Sequence, residues 1–534
     1  MTQFLDIFGF LSVLLRGLTL AFEALTVGGV IFLLAVARPP ASDDVRRRVA
    51  RWIVWFALAL AVIQVSSVAA NSAILIGSTD MVLSDVAGAG FWFAGLLMVV
   101  GAAVAAAFAR TRWVAFAGPV ACVLILTGSV LASHSVARVD DRGILIVMTL
   151  AHHVAGAVWI GGMPYLLVAL RHSPDNPVGG TITSRFSRMA MYSVATLVVA
   201  GFVLSIFYVG SPAAAFETTY GLMLVLKIIL TGVLLVLGWL NWRIVAAVRR
   251  GDRPELLPLR RFGEAELGIG FTVLLAAASI TSTPPAIDVQ ADRVSAQEIA
   301  DRLKPRMPRM ETPNFTELAS VRAMALPRGN TQLGSFVPGQ LRLPLTAKDK
   351  AWSEYNHNWA GLVVLAIGIF SLLSRRWAWA KHWPLLFLGL AVFLFIRADA
   401  ENWPLGPRGF WESFQTAEVA QHRVFVLLII AFAAFEWAVQ TNRIPARLAG
   451  LVFPMVCAVG GALLVTHSHS LGNVKEEFLV EMSHIPLAIF AVIAGWSRWL
   501  EIRLPDTARI RAVSWIWPIC FILVGLVLVT YRES

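Results

Sequence analysis

Charge is scarce in this chain: 14% of its 534 residues are Asp, Glu, Lys or Arg, against 57% hydrophobic, with a mean hydropathy of +0.71. That scarcity excludes a soluble domain, because too little polar surface remains to face water. Cysteine is nearly absent. Cys122, Cys457 and Cys520 each lie inside an apolar run, so no disulfide framework and no CxxC metal or redox pair is available, and all three read as small apolar packing. No Lys or Arg occurs from Met1 to Leu15, which denies the first apolar stretch, about Phe8 to Ala37, the basic region of a secretory signal. That stretch is expected to remain as a helix. Short alternating segments are missing too, which excludes an outer-membrane barrel.

What is present is a succession of apolar runs, each long enough for a helix across a hydrocarbon core of about 30 Å. We expect an all-α polytopic membrane protein of about fourteen helices, starting near residues 8, 52, 90, 113, 144, 188, 221, 262, 356, 383, 418, 447, 478 and 513. The formal charge of +11 is concentrated in short loops, such as Arg46 to Arg48, Arg249-Arg250 and Arg375-Arg376, so nucleic acid is excluded as a partner. The intervening loops, such as Val139 to Asp141 and Lys475 to Glu477, lack that bias. One orientation fits every loop and puts both termini outside the cytoplasm.

The apolar character stops between Pro284 and Tyr355. The expected organisation is a bundle over 1–285, a periplasmic linker over 286–355 with a short amphipathic helix near Ser295 to Leu303, and a second bundle over 356–534. The linker has neither His nor Cys, and its Met307 and Met310 read as incidental.

Histidine carries the signal. Gly128-Ser-Val-Leu-Ala-Ser-His134-Ser and Gly461-Ala-Leu-Leu-Val-Thr-His467-Ser end two apolar runs, and each is followed by a helix with a further histidine, His152 or His484. Imidazole is rare in membrane segments because hydrocarbon cannot satisfy its nitrogens. On the expected topology His134, His152, His357, His422, His467, His469 and His484 all fall toward the periplasmic face, with His152 and His484 roughly 9 to 12 Å below the helix ends. Only His172 and His382 fall on the cytoplasmic side. Short connections pack His134 toward His152, and His467 or His469 toward His484. Met148 and Met482 stand beside two of these histidines, and a thioether next to imidazole suits Cu(I) better than Mg or Ca. His153 is turned about 100° from His152, so the two face different neighbours.

Other polar residues read as structural. Arg16 and Glu23 share a face of the first helix as a pair, Glu436 is expected to snorkel toward the inner interface, and Asp399 to Pro404 is expected as a solvated loop near Glu412 and His422.

From about Leu124 to Pro285 the chain resembles the copper resistance protein D (CopD) family. The resemblance rests on Ala-Ser-His134, Leu150-Ala-His152-His-Val-Ala-Gly-Ala-Val-Trp159-Ile-Gly-Gly162, Arg185-Phe-Ser187, Thr219-Tyr-Gly221 with Lys227, and Glu266 ahead of Pro284-Pro285. The second half is similar to a carboxy-terminal extension of some members, through Tyr355-Asn-His357-Asn-Trp-Ala-Gly361, Trp403 to Pro407, Gln421-His422-Arg, Thr466-His-Ser-His469, Ser483-His484-Ile-Pro486 and Gly495-Trp496. What the resemblance implies is an inner-membrane protein that handles copper ions, moving them from periplasm toward cytoplasm beside a periplasmic copper-binding protein. The implied ligands are His134, His152, His357, His422, His467, His469 and His484. Two alternatives stay open at this point: a b-type haem held between two histidines, and a scaffold that delivers copper to a metalloenzyme.

Overall fold

The computed structural model describes residues 2–39, 42–79, 81–172, 177–252, 254–304, 306–325, 346–415, 417–445, 449–465 and 474–533. Among them the fold is all-helical. Thirteen helices are long and apolar enough to cross a membrane, and the stretch expected to start near residue 447 forms a shorter helix, Val452–Leu464. The chain divides into two units. The first comprises Phe10–Phe216 and Met223–Ala291, and the second Met1–Gly9, Glu217–Leu222 and Asp292–Ser534.

In the first unit, α1 (Thr2–Ile31) runs on into a π-helical turn, Phe32–Val36. Helix α2 (Asp43–Ser78) starts where Ser42 Oγ accepts the Val45 N–H at 3.3 Å and Asp43 and Asp44 complement the exposed amides of the first turn. It is 36 residues long, well beyond the ~20 needed to span the bilayer. Helices α3 (Gly90–Phe108) and α4 (Val114–Leu131) approach closely because Gly101 faces the Ala121 carbonyl and Gly128 the Ala94 carbonyl. Without a hydrophobic drive between helices in lipid, such small-residue contacts supply the packing. Helix α5 (Arg142–Gly156) continues through a π-helical turn, Ala157–Gly161, into α6 (Met163–His172). Helices α7 (Pro177–Val209), α8 (Thr219–Arg249) and α9 (Leu257–Ser282) follow.

In the second unit the amphipathic helix expected near Ser295 is present as Ala296–Leu303, opened by a reciprocal cap between Ser295 and Glu298. Leu318 and Val321 then bury against Trp352 and Ala400. The apolar helices here are α10 (Ala347–Leu373), α11 (Leu386–Arg397), α12 (Ala417–Gln440), α13 (Val452–Leu464), α14 (Val474–Arg503) and α15 (Ile516–Val529). Helices α10 and α15 interlock at Gly361, Gly368 and Gly525, where any Cβ would strike the opposing backbone. The core beneath is aromatic: Trp383, Phe453 and Trp517 meet around Ile367, Ala494 and Cys520, with Cys457 packed alongside. Both second-unit cysteines thus take the apolar packing role, and Cys122 is buried in α4.

Candidate functional site

The motif His152-His-Val-Ala-Gly-Ala-Val-Trp-Ile-Gly-Gly is a helix-crossing device. A Cβ at Gly161 would fall inside the Ala24 carbonyl of α1, and one at Gly28 inside the Ala157 carbonyl, so only glycine lets α1 lie against the π-helical turn. Tyr165 fastens the same crossing by donating its hydroxyl to the Leu25 carbonyl at 2.7 Å. The crossing fixes the residue before Ala24, which is Glu23.

Glu23 is 3% exposed. Ser129 of α4 donates its hydroxyl to Glu23 Oε2 at 2.6 Å, and His153 Nδ1 of α5 lies 3.1 Å from both Glu23 Oε1 and Ser129 Oγ. The serine has one proton and spends it on Glu23, so Nδ1 of His153 is the donor to both oxygens. Arg16, two turns earlier on α1, is near enough to feel the Glu23 charge. The carboxyl is therefore held by side chains of two other helices and is more than the partner of Arg16. Sequence reasoning turned His153 toward a different neighbour from His152 without naming Glu23, and gave Ser129 no role. The available signal was the i, i+4, i+8 stripe Leu145, Thr149, His153, whose first two members are buried.

His152, on the adjacent face, packs against α7: its ring lies next to Gly201 and the Leu197 main chain, and Lys227 of α8 is close enough to interact with it electrostatically. Its Nδ1 is buried with no hydrogen-bond partner. His134 sits in the short turn after α4, backed by the main chain of Ile280 and Thr281 at the end of α9, and its Nε2 is likewise buried and unpartnered. Burial holds the His134 imidazole below its ordinary range, with the Thr281 main chain opposing and Arg16 reinforcing the shift. His134 and His152 thus lean on different helices. Met148 is half-buried one turn before His152.

In the second unit His357 and His484 come together from α10 and α14, close enough to interact electrostatically with each other and with Glu533. His357 Nδ1 donates to the Ser353 carbonyl at 2.9 Å, and His484 Nδ1 to the Val480 carbonyl at 2.8 Å. An i−4 carbonyl on Nδ1 makes Nε2 the unprotonated nitrogen of each ring, the tautomer a metal ligand needs. The His357 ring stacks on Tyr531 with centroids 3.9 Å apart. Tyr531 in turn donates to Glu533 Oε2 at 3.1 Å, and burial raises its phenol above the ordinary range. Met482, two residues before His484, is half-buried.

His422 takes a different role. Its Nδ1 is 2.8 Å from Asp399 Oδ1, and the next residue, Arg423, is buried with bonds to the Phe395 and Trp403 carbonyls. The Asp399 to Pro404 segment, expected as a solvated loop, is tied to α12 through these contacts. His467 and His469 lie outside the described residues, as does the loop joining α13 to α14. Among the described residues no three His, Cys, Asp or Glu side chains form a ready metal cluster.

Two further buried carboxyls, Glu266 and Glu436, each have an amide neighbour. Glu266 of α9 accepts from Asn241 Nδ2 of α8 at 2.8 Å, and Glu436 of α12 accepts from Gln440 at 2.7 Å. Each is 1% exposed. Glu436 therefore does not snorkel: Gln440 donates to it and the Arg498 charge is near enough to act on it within the bundle.

Residues 180–280, which span most of α7 and α9 and all of α8, match the family model of Copper resistance protein D. The Copper transport protein CutJ of Bacillus subtilis (strain 168) is 28% identical over 210 residues, covering 38% of this chain and 38% of that protein. The chain thus spans well under half the length of this relative. No solved structure matches. The resemblance read from the motifs is borne out over residues 180–280, which hold Arg185-Phe-Ser187, Thr219-Tyr-Gly221, Lys227 and Glu266 and supply helices against which His134 and His152 pack.

Proposed function

We propose that this chain binds copper at helix-borne histidines near one membrane face and moves it across the bilayer, as a copper transport and resistance protein of the bacterial inner membrane with both termini in the periplasm. The observation that carries this reading is the pair of buried ring nitrogens, His134 Nε2 and His152 Nδ1, that have no hydrogen-bond partner among the described residues. Buried polar atoms are nearly always satisfied, so an imidazole nitrogen left bare and unprotonated is suited to a metal ion. Copper accepts imidazole and thioether ligands in either common oxidation state. The family match and the name of the CutJ relative point to the same metal.

In this reading copper is the cargo. His134 and His152 with Met148 take it in the first unit, and His357 and His484 with Met482 in the second, joined by His422, His467 and His469 in capture. A separate periplasmic copper-binding protein hands the ion over. Proteoliposomes containing only the purified protein provide the test. Copper should accumulate inside, and changing His134 and His152 together to Ala should cut the rate at least tenfold. Unchanged uptake in that variant would remove the site, and a Soret band in the purified parent would reassign the histidines to haem.

A further inference from the structure

Glu266 is a carboxyl in the wrong solvent. It lies nine residues, roughly 14 Å, from the start of α9, within the span Leu257–Ser282, and is 1% exposed. One of its oxygens accepts from Asn241 Nδ2, while Oε1 has no partner. The same amide's Oδ1 is also buried and unpartnered. Gly238, one turn before Asn241 on the same face of α8, leaves room for the carboxyl: a Cβ there would stand 3.0 Å from Oε1.

No cation balances this group among the described residues. Arg243 of α8 turns onto the Trp239 ring at 5.0 Å, and Lys227 is fourteen residues away, about 21 Å along α8. Arg261 of α9 is paired with Glu264. On α6, which packs against α9, Arg171 and His172 lie at the far, exposed end, with His172 Nδ1 on the Val168 carbonyl. On α1, Gly17 touches α9 at Leu275 and Ala278, which puts Arg16 toward the far end of the helix, while the Glu23 side chain is engaged by Ser129 and His153. Glu436, a buried carboxyl of the second unit, differs in having Arg498 near.

We propose that Glu266 and Asn241 form a proton-binding site inside the first unit, in which the carboxyl holds a proton facing the amide. A bare carboxylate here would be an uncompensated charge in a low-dielectric bundle, which is costly. A carboxyl hydrogen removes that charge. It also supplies a donor where the geometry leaves two acceptor oxygens, Glu266 Oε1 and Asn241 Oδ1, without one. The site stands apart from the histidines and does not depend on copper being the cargo.

The test is infrared difference spectroscopy of the full-length protein in lipid nanodiscs, titrated from acid to alkaline buffer, on the parent, Glu266→Gln and Asn241→Leu. The parent should show the carbonyl band of one un-ionised, non-aqueous carboxyl that bleaches at alkaline pH. Glu266→Gln, a neutral isostere of the protonated acid, should keep the parent's thermal midpoint, lose that band and release one proton fewer per chain. In Asn241→Leu the band should move in frequency and its titration midpoint should shift. A band unchanged in Glu266→Gln, or insensitive to Asn241→Leu, would overturn the assignment. So would failure of Glu266→Gln to assemble, because a site that holds a neutral carboxyl accepts a neutral amide.

Discussion

Replacing Ser129 with Ala removes one hydroxyl and leaves Glu23 Oε2 without its 2.6 Å donor in a site that is 3% exposed. Two magnitudes compete. Interhelical hydrogen bonds in membrane proteins average only about 0.6 kcal/mol, because the reference state in lipid also finds partners. A donor withdrawn from a buried charged group instead costs about 1.5–3 kcal/mol, since the desolvated oxygen is left bare. The local geometry selects the larger figure: Gly28 and Gly161 pin the α1 backbone against the π-helical turn, and His153 Nδ1 is already engaged with Oε1. We expect a loss of about 2 kcal/mol for Ser129→Ala. Thr183→Val is the control, since Thr183 is 2% exposed but bonds only its own helix, through the Gly179 carbonyl at 2.7 Å; it should stay within about 0.5 kcal/mol. Equilibrium unfolding of the full-length protein in bicelles reads both. Combining Ser129→Ala with Glu23→Gln should be non-additive by about 1 kcal/mol or more, as expected for side chains in direct contact. Equal, small effects at Ser129 and Thr183 would refute the claim that the Glu23 cluster is rigidly held.

Within one motif, Gly161→Ala should lower the thermal midpoint strongly, because overpacking against backbone costs about 1–3 kcal/mol, whereas Gly156→Ala, which meets nothing within 4 Å, should be neutral or slightly stabilising. Changing His357 and His484 together to Ala should weaken copper retention by equilibrium dialysis at least tenfold while leaving the midpoint within a few degrees. His134 should remain unprotonated, and able to hold metal, at acidities where an ordinary imidazole is already charged. With its folded value depressed, the unfolded chain takes up the proton first. The His134 contribution to stability is therefore complete above the ordinary imidazole range and fades as pH falls below it. A His134→Gln variant should accordingly lose less stability than the parent between neutral and mildly acidic pH, and a parallel loss would contradict the burial of that ring.

The spans and the placement of polar loops were legible because hydrophobicity over ~20 residues is a one-dimensional signal. Partner identity was less so. Which of His152 and His153 meets α1 depends on a 100° step and on the crossing angle at the π-helical turn, neither of which a residue count resolves. The histidine-end pattern pointed to His484 and expected His467 or His469 beside it; the neighbour among the described residues is His357, and i−4 carbonyls set the tautomers of both rings. Glu436 misled because carboxylates near an interface usually reach water; here Gln440 and Arg498 accommodate it inside. Glu266 was visible as a motif residue, but its unpaired oxygen emerges only from where α8 and α9 meet.

X-ray absorption at the copper edge of the purified, copper-loaded full-length protein tests the central claim most directly. Outer-shell scattering from imidazole rings should be present in the parent and lose amplitude in the His134, His152 double variant. A spectrum with no imidazole scattering, or one identical in the parent and the variant, would contradict the account.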